Sequence, residues 1–112
     1  MAETFQRAQA ALVTTDTDVY GVPVGTDNRA VVLSVLVANV DGTNAASVTC
    51  KVKDSGGNVI AGSTIANTIS VSADGSLELI PNKLILNGGQ KLHLIASGNN
   101  GLEATVSVLE IT

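Results

Sequence analysis

Between Arg29 and Val40 the chain places apolar residues at almost every position, Arg29-Ala-Val-Val-Leu-Ser-Val-Leu-Val-Ala-Asn-Val, and closes the run with Asp41-Gly42. The run is dominated by β-branched residues, which predicts a strand, and its apolar side chains fall on both phases, which predicts cover on both faces. Ser47 to Lys53 alternates strictly, with Val48, Cys50 and Val52 on one face. That predicts a half-buried strand, hairpin-paired with the first through the Asp41-Gly42 turn.

The same pattern recurs along the chain. Ala8 to Val13 could form a helical turn, but Leu12-Val13-Thr14-Thr15 favours a first strand over Gln9 to Thr15, ended by the turn former Asp16. Asp18 to Val24 is extended and carries Pro23, whose missing N–H assigns the piece to a sheet edge or corner. Short strands are expected over Val59 to Ile65, Thr68 to Ser72, Ser76 to Ile80 and Lys83 to Leu86, with Gly56-Gly57 and Gly88-Gly89 as hairpin turns and Pro81-Asn82 as punctuation. Gln90 to Ser97 turns Leu92, Leu94 and Ala96 inward and His93 and Ile95 outward. After Gly98-Asn99-Asn100-Gly101, the last strand turns Leu102, Ala104, Val106 and Val108 inward, and its phase then slips to Leu109 and Ile111, as a bulge would require. About eight or nine short strands with a turn roughly every ten residues predict an all-β fold, a single antiparallel sandwich of jelly-roll or Ig-like type.

The length of 112 residues allows one core. The expected organisation is one β-sandwich domain over 1–112, with 1–8 free to stand off as an extended N-terminal arm. Charged residues make up only 14% of the chain, against roughly 25% in ordinary soluble domains, so part of the surface is expected to be covered in use. Aromatics are only 2%, which leaves Val, Leu, Ile and Ala to fill the core and removes stacking platforms for single-stranded nucleic acid and sugars. A net charge of −4 and six scattered basic residues argue against a nucleic-acid partner. The N-terminus lacks a signal-peptide pattern and no apolar run is long enough to span a bilayer, so a soluble protein made in a cytoplasm, with no membrane partner, is expected.

Candidate chemistry is sparse. His93, the sole histidine, has neither a second histidine nor a cysteine pair to share a metal with, and reads as a surface residue. Cys50, the sole cysteine, excludes an intrachain disulfide and reads as a buried, inert thiol. Asp16, Asp18, Asp27, Asp41 and Asp74 offer oxygen ligands for calcium between loops, but turns demand the same residues for backbone reasons. Glu78, Glu103 and Glu110 read as solvated. No catalytic residue, cofactor site or metal site is expected, and an enzyme is the least favoured class.

The anomaly is an excess of apolar residues on outward phases: Val32 and Leu36 opposite Val31, Leu33, Val35 and Val37, then Ile95, and Leu109 with Ile111. Either the strand is central and masked by a loop, or these residues are buried against another subunit. The second reading makes Val32, Leu36, Ile95, Leu109 and Ile111 the candidate interaction surface.

Four stretches together resemble small virion structural proteins of tailed bacteriophages: Tyr20-Gly-Val-Pro-Val-Gly, Arg29 to Gly42, Ala46-Ser-Val-Thr-Cys-Lys-Val-Lys-Asp, and Thr105-Val-Ser-Val-Leu-Glu-Ile-Thr. The resemblance implies a compact, non-enzymatic β-sandwich. Within the family it points to a capsid decoration, or cement, protein on the virion surface, trimeric as a homo-oligomer and bound to the major capsid protein. A tail, fibre or head-to-tail adaptor component is the alternative. A carbohydrate-binding or adhesin-like module is the alternative of another class, lowered by the absence of Trp and the single Tyr.

Overall fold

The computed structural model describes residues 3–15, 17–80, 83–98 and 101–112. Met1, Ala2, Asp16, Pro81, Asn82, Asn99 and Asn100, to which sequence reasoning gave turn or arm roles, lie outside the described residues. In chain order the strands are β1 (Glu3–Ala11), β2 (Thr17–Gly21), β3 (Arg29–Asn39), β4 (Ala46–Lys53), β5 (Ala66–Val71), β6 (Ser76–Glu78), β7 (Leu84–Asn87), β8 (Lys91–Ala96) and β9 (Leu102–Ile111). They form two antiparallel sheets, one ordered β1-β9-β3 with β6 and β7 both on the far edge of β3, the other ordered β2-β8-β4-β5. Among the described residues there is no helix.

The pairs are nested: β1 with β9, β2 with β8, β3 with β6 and β7, β4 with β5. The chain is thus one long hairpin, bent at the β4–β5 connection and wrapped so that its arms pass between sheets. This is the jelly-roll order rather than the Ig-like one. The core between the sheets is filled by Val, Leu and Ala, with Leu12, Val35, Val48, Leu92, Leu94 and Val106 fully buried.

The phase of β3 explains the apolar excess. Against β9 its register runs Val31↔Leu109, Val32↔Val108, and then Ser34↔Ser107, so Leu33 is an extra residue, a β-bulge. A bulge flips the alternation. Ala30 and Val32 point into the core before it, and Val35 and Val37 point into the core after it. Val32, expected on the outer face, is 0% exposed.

On the other edge of β3, β7 pairs with Arg29 to Val32 and β6 with Leu36 to Ala38. The stretch between them would leave the Val35 backbone amide without a ladder partner. The Glu78 carboxylate takes that place, accepting from Val35 N at 2.8 Å, from Ile80 N at 3.0 Å and from the Ser34 hydroxyl. Leu79 N closes the junction on Val35 O at 2.9 Å. Glu78 is therefore a structural acceptor and not only a solvated side chain. Burial acts to raise its pKa, but the bonds from Ser34, Ile80 and Val35 outweigh it and hold the carboxyl below its ordinary value.

Several connections differ from expectation. The first strand is Glu3–Ala11 and not Gln9 to Thr15, because Leu12 to Thr15 cross between sheets: Leu12 N donates to Leu102 O and Ala96 N to Val13 O. Asp41-Gly42 is a crossover and not a hairpin turn, since β9 on one edge and β6 and β7 on the other already occupy β3. At this crossover buried Asn39 donates to Asn44 O and Val71 O at 3.0 and 3.1 Å, and accepts from Asp41 N at 2.9 Å, tying one sheet to the other. Gly88-Gly89 likewise crosses from β7 to β8. There a Cβ on Gly88 would stand 2.0 Å from the Gly25 carbonyl oxygen, so only glycine fits. Val59 to Ile65 is not a strand beyond a single Lys53↔Val59 bridge, its amides at Ile60 and Ile65 reaching Val52 O and Cys50 O. β9 keeps unbroken register with β1 to Ile111, so no bulge displaces Leu109 and Ile111; they lie on the outer phase of a regular strand. Pro23 does follow an edge strand, β2.

Glu78→Ala should lower unfolding free energy by about 1–2 kcal/mol in urea denaturation at neutral pH, the worth of charge-assisted bonds discounted for solvent contact. The lowered pKa sets the sign: this stability is present above the ordinary carboxylate value and is lost as pH falls through the lower native one, so Glu78→Gln should flatten the acid limb of the stability curve. An unchanged acid limb would refute the role.

Candidate interaction surface

The outer face of the five-stranded sheet carries the feature that stands out. Phe5 of β1 pairs with Leu109 of β9, Leu109 with Val31 of β3, and Val31 with Ile85 of β7. Directly opposed residues share a face, and the neighbours Val32, Leu86 and Val108 point into the core, so these four apolar side chains form one row on the outside. Three strand spacings make the row about 14 Å long. Its ends are open, with Phe5 76% and Ile85 62% exposed, while Val31 and Leu109 between them are half-buried.

Mostly polar rows flank it. One side is Glu3, Ile111, Arg29 and Asn87; the other is Arg7, Ser107 and Ser34, with half-buried Leu33 at the bulge beside Ser34. Arg29 is fixed, donating to Thr26 O at 2.9 Å and Asn28 O at 2.8 Å. An apolar strip with a mostly polar rim is the anatomy of a contact surface.

The sequence-derived candidates separate. Leu109 lies in the row and half-buried Ile111 beside it. Leu36 is on the same outer face and 41% exposed, but it stands further along β3, between Thr105 and Glu78. Half-buried Ile95 is on the other sheet, opposite Thr49. Val32 is core. Phe5, Val31 and Ile85 were missed, because only strand register brings residues so distant in sequence into one line.

The remaining candidates do not build a second site. His93 is 3% exposed and not a surface histidine; it sits in the centre of its sheet between Asp18 of β2 and Lys51 of β4. Lys53 pairs with Asp18 at 3.0 Å on this sheet. Cys50 is fully buried, and burial pushes its thiol up to about 12, which keeps it protonated and inert. Glu110 is on the inner phase, contrary to expectation, and accepts a hydrogen bond from the Tyr20 hydroxyl. That bond joins β9 to β2 across the open side of the sandwich. Burial, then the bond to Glu110 and its charge, raise the Tyr20 pKa. Asp41 accepts from Thr43 N and Asn44 N at 2.8 and 3.2 Å, which lowers its pKa, and Asp54 accepts from Gly56 N and Asn58 N at 2.9 and 3.0 Å; both carboxylates organise turns. Asp16, half of the proposed calcium pair, lies outside the described residues, and among the described residues no group of three His, Cys, Asp or Glu could hold a metal ion.

No protein-family model matches the sequence, and no curated protein matches it. Solved structures share the fold. A chain of the acid-stable capsid of Helicobacter pylori bacteriophage KHP30 superposes with a TM-score of 0.58 at 11% identity, covering 100% of this chain and 89% of that one. A subunit of the Bacillus endospore appendages, which are disulfide-linked pili, gives 0.57 at 14% identity, covering 99% and 87%. A chain of the infectious bursal disease virus particle gives 0.56 at 8% identity, covering 96% of this chain but 30% of that longer one. At these identities the likeness is one of fold.

Core and row should separate in stability. Val32→Ala should cost about 2–3 kcal/mol by chemical denaturation, and Ile85→Ala less than about 0.5 kcal/mol. Equal costs would contradict the assigned phase of β3 or β7.

Proposed function

We propose that this chain is a non-enzymatic structural protein of a virion, a capsid decoration protein that binds and stabilises the shell of the major capsid protein. The observation that carries the reading is the row Phe5, Leu109, Val31 and Ile85. A small domain whose core is already closed keeps four apolar residues aligned on an outer face, framed by mostly polar neighbours. Such a row is of use only when another surface covers it.

The fold supports the same reading. Its full-length likeness to a chain of a bacteriophage capsid, and to a subunit of a pilus, associates this sandwich with assemblies of many copies. Weak charge and the lack of a disulfide fit a protein whose stability in use comes from mass action with a multivalent partner. The mechanism is burial of the outer sheet face against the shell, with the acidic balance of the chain complementing basic patches there. The tail, fibre or adaptor reading uses the same face and differs in location.

Quantifying the protein in purified particles tests the assignment. Copy number comparable to the major capsid protein, with loss on stripping of the capsid surface, is the expected outcome; a handful of copies travelling with tails would overturn it. Ile85→Asp should reduce occupancy on stripped capsids by more than about tenfold while leaving the fold intact, since one charge in a desolvated contact costs well above 1.4 kcal/mol.

A further inference from the structure

The first strand carries a second assembly surface that does not depend on the capsid reading. Among the described residues β1 is the free edge of the five-stranded sheet: β9 covers one side of it along its whole length, and no strand follows it in the sheet order. Edges are ordinarily blunted by Pro, Lys, a bulge or short length. β1 has nine residues, Glu-Thr-Phe-Gln-Arg-Ala-Gln-Ala-Ala, without Pro or Lys, in unbroken register with β9.

Its exposed outer phase reads Glu3, Phe5, Arg7. A second copy laid antiparallel along this edge, on a two-fold axis through Phe5, sets Glu3 against the partner's Arg7 and Arg7 against the partner's Glu3, with the two Phe5 rings side by side. Centring the axis on Glu3 or Arg7 instead opposes like charges, and centring it on Thr4 or Gln6 sets Phe5 against a charge. The Phe5 register alone satisfies both charges and the ring. It also extends the apolar row, because Ile85, Val31, Leu109 and Phe5 are then followed by their images in reverse order across one continuous sheet.

We infer that the chain forms a two-fold dimer by edge-to-edge antiparallel pairing of β1 in the Phe5 register. The interface is isologous and closes on itself, so it ends at two copies. This pairing is a different assembly from the trimer that the resemblance implied.

Sedimentation equilibrium of the full chain should show a reversible dimer. Glu3→Arg and Arg7→Glu should each weaken it by about tenfold, since each turns two attractive pairs into repulsive ones, and the double reversal should restore it. Phe5→Cys should oxidise to a covalent dimer, because opposed residues in an antiparallel pair lie about 4.5–5.5 Å apart at Cα, within disulfide reach. Ile85→Cys, equally free in solution and at the far end of the row, should not. A monomer at every concentration, a double reversal as weak as the single ones, or equal cross-linking of both cysteine variants would each overturn the proposal. Capsid occupancy of the Ile85→Asp variant is read separately, so failure of the dimer and failure of the decoration role are distinguishable.

Discussion

Strand β3 is the constraint on which the rest of the sandwich depends. It pairs with β9 along its whole length on one edge, apart from the bulged Leu33, and changes partners halfway along the other. A long regular strand would twist steadily away from such an arrangement. The bulge at Leu33 adds twist and resets the phase at the point where β7 gives way to β6. On the opposite edge, the gap where β7 gives way to β6 leaves the Val35 amide without a ladder partner, and Glu78 supplies the acceptor. Sequence, phase and polar satisfaction are thus one problem at Leu33 to Val35, solved by a residue more than forty positions away.

This is why the apolar excess in the sequence pointed partly in the wrong direction. With a uniform period of two, Val32 and Leu36 share a face opposite Val35 and Val37. The bulge puts Val32, Val35 and Val37 together in the core and leaves Val31, Leu33 and Leu36 outside. Most of the strands, the edge position signalled by Pro23 and the all-β class were legible, because alternation and turn residues are local signals; the expected strand over Val59 to Ile65 and the bounds of the first strand were not. Pairing was not. Asp41-Gly42 has the chemistry of a hairpin turn, yet whether a turn joins neighbours or crosses between sheets depends on whether the edges of β3 are already taken, and those are occupied by strands from the far end of the chain. The apolar row was illegible for the same reason: Phe5, Val31, Ile85 and Leu109 meet only once the nested pairing exists.

The polar anchors sit where the wrapping needs them. Asn39 fastens the end of β3 to the loop before β4 and to the end of β5, and Tyr20 reaches from β2 to Glu110 on β9. Both cross between sheets. A core of Val, Leu and Ala is non-directional and would tolerate sliding of one sheet on the other. A buried amide with its donors and acceptor all engaged, and a tyrosine bonded to a carboxylate at the open side, penalise sliding because any shift leaves a buried polar group unmet. His93 is the counterpart within one sheet: a residue of polar type is buried on a central strand, flanked by Asp18 and Lys51.

Closure of the core without the outer row has a consequence for how such a domain can act. The inner face of the five-stranded sheet fills the sandwich, so Phe5, Val31, Ile85 and Leu109 contribute little to the stability of the single chain. Residues that stability does not require are free to be shaped by contact. Along β1, where only Ala8 and Ala10 reach the core, contact is the remaining constraint on Glu3, Phe5 and Arg7. A face that ends in a strand edge can be extended sideways by a copy and covered from above by a different partner without either interfering with the other. Sheet extension uses backbone groups in the plane of the sheet, and docking uses side chains perpendicular to it. On the proposed roles, the geometry of one strand keeps self-association, in the plane of the sheet, apart from shell binding, perpendicular to it.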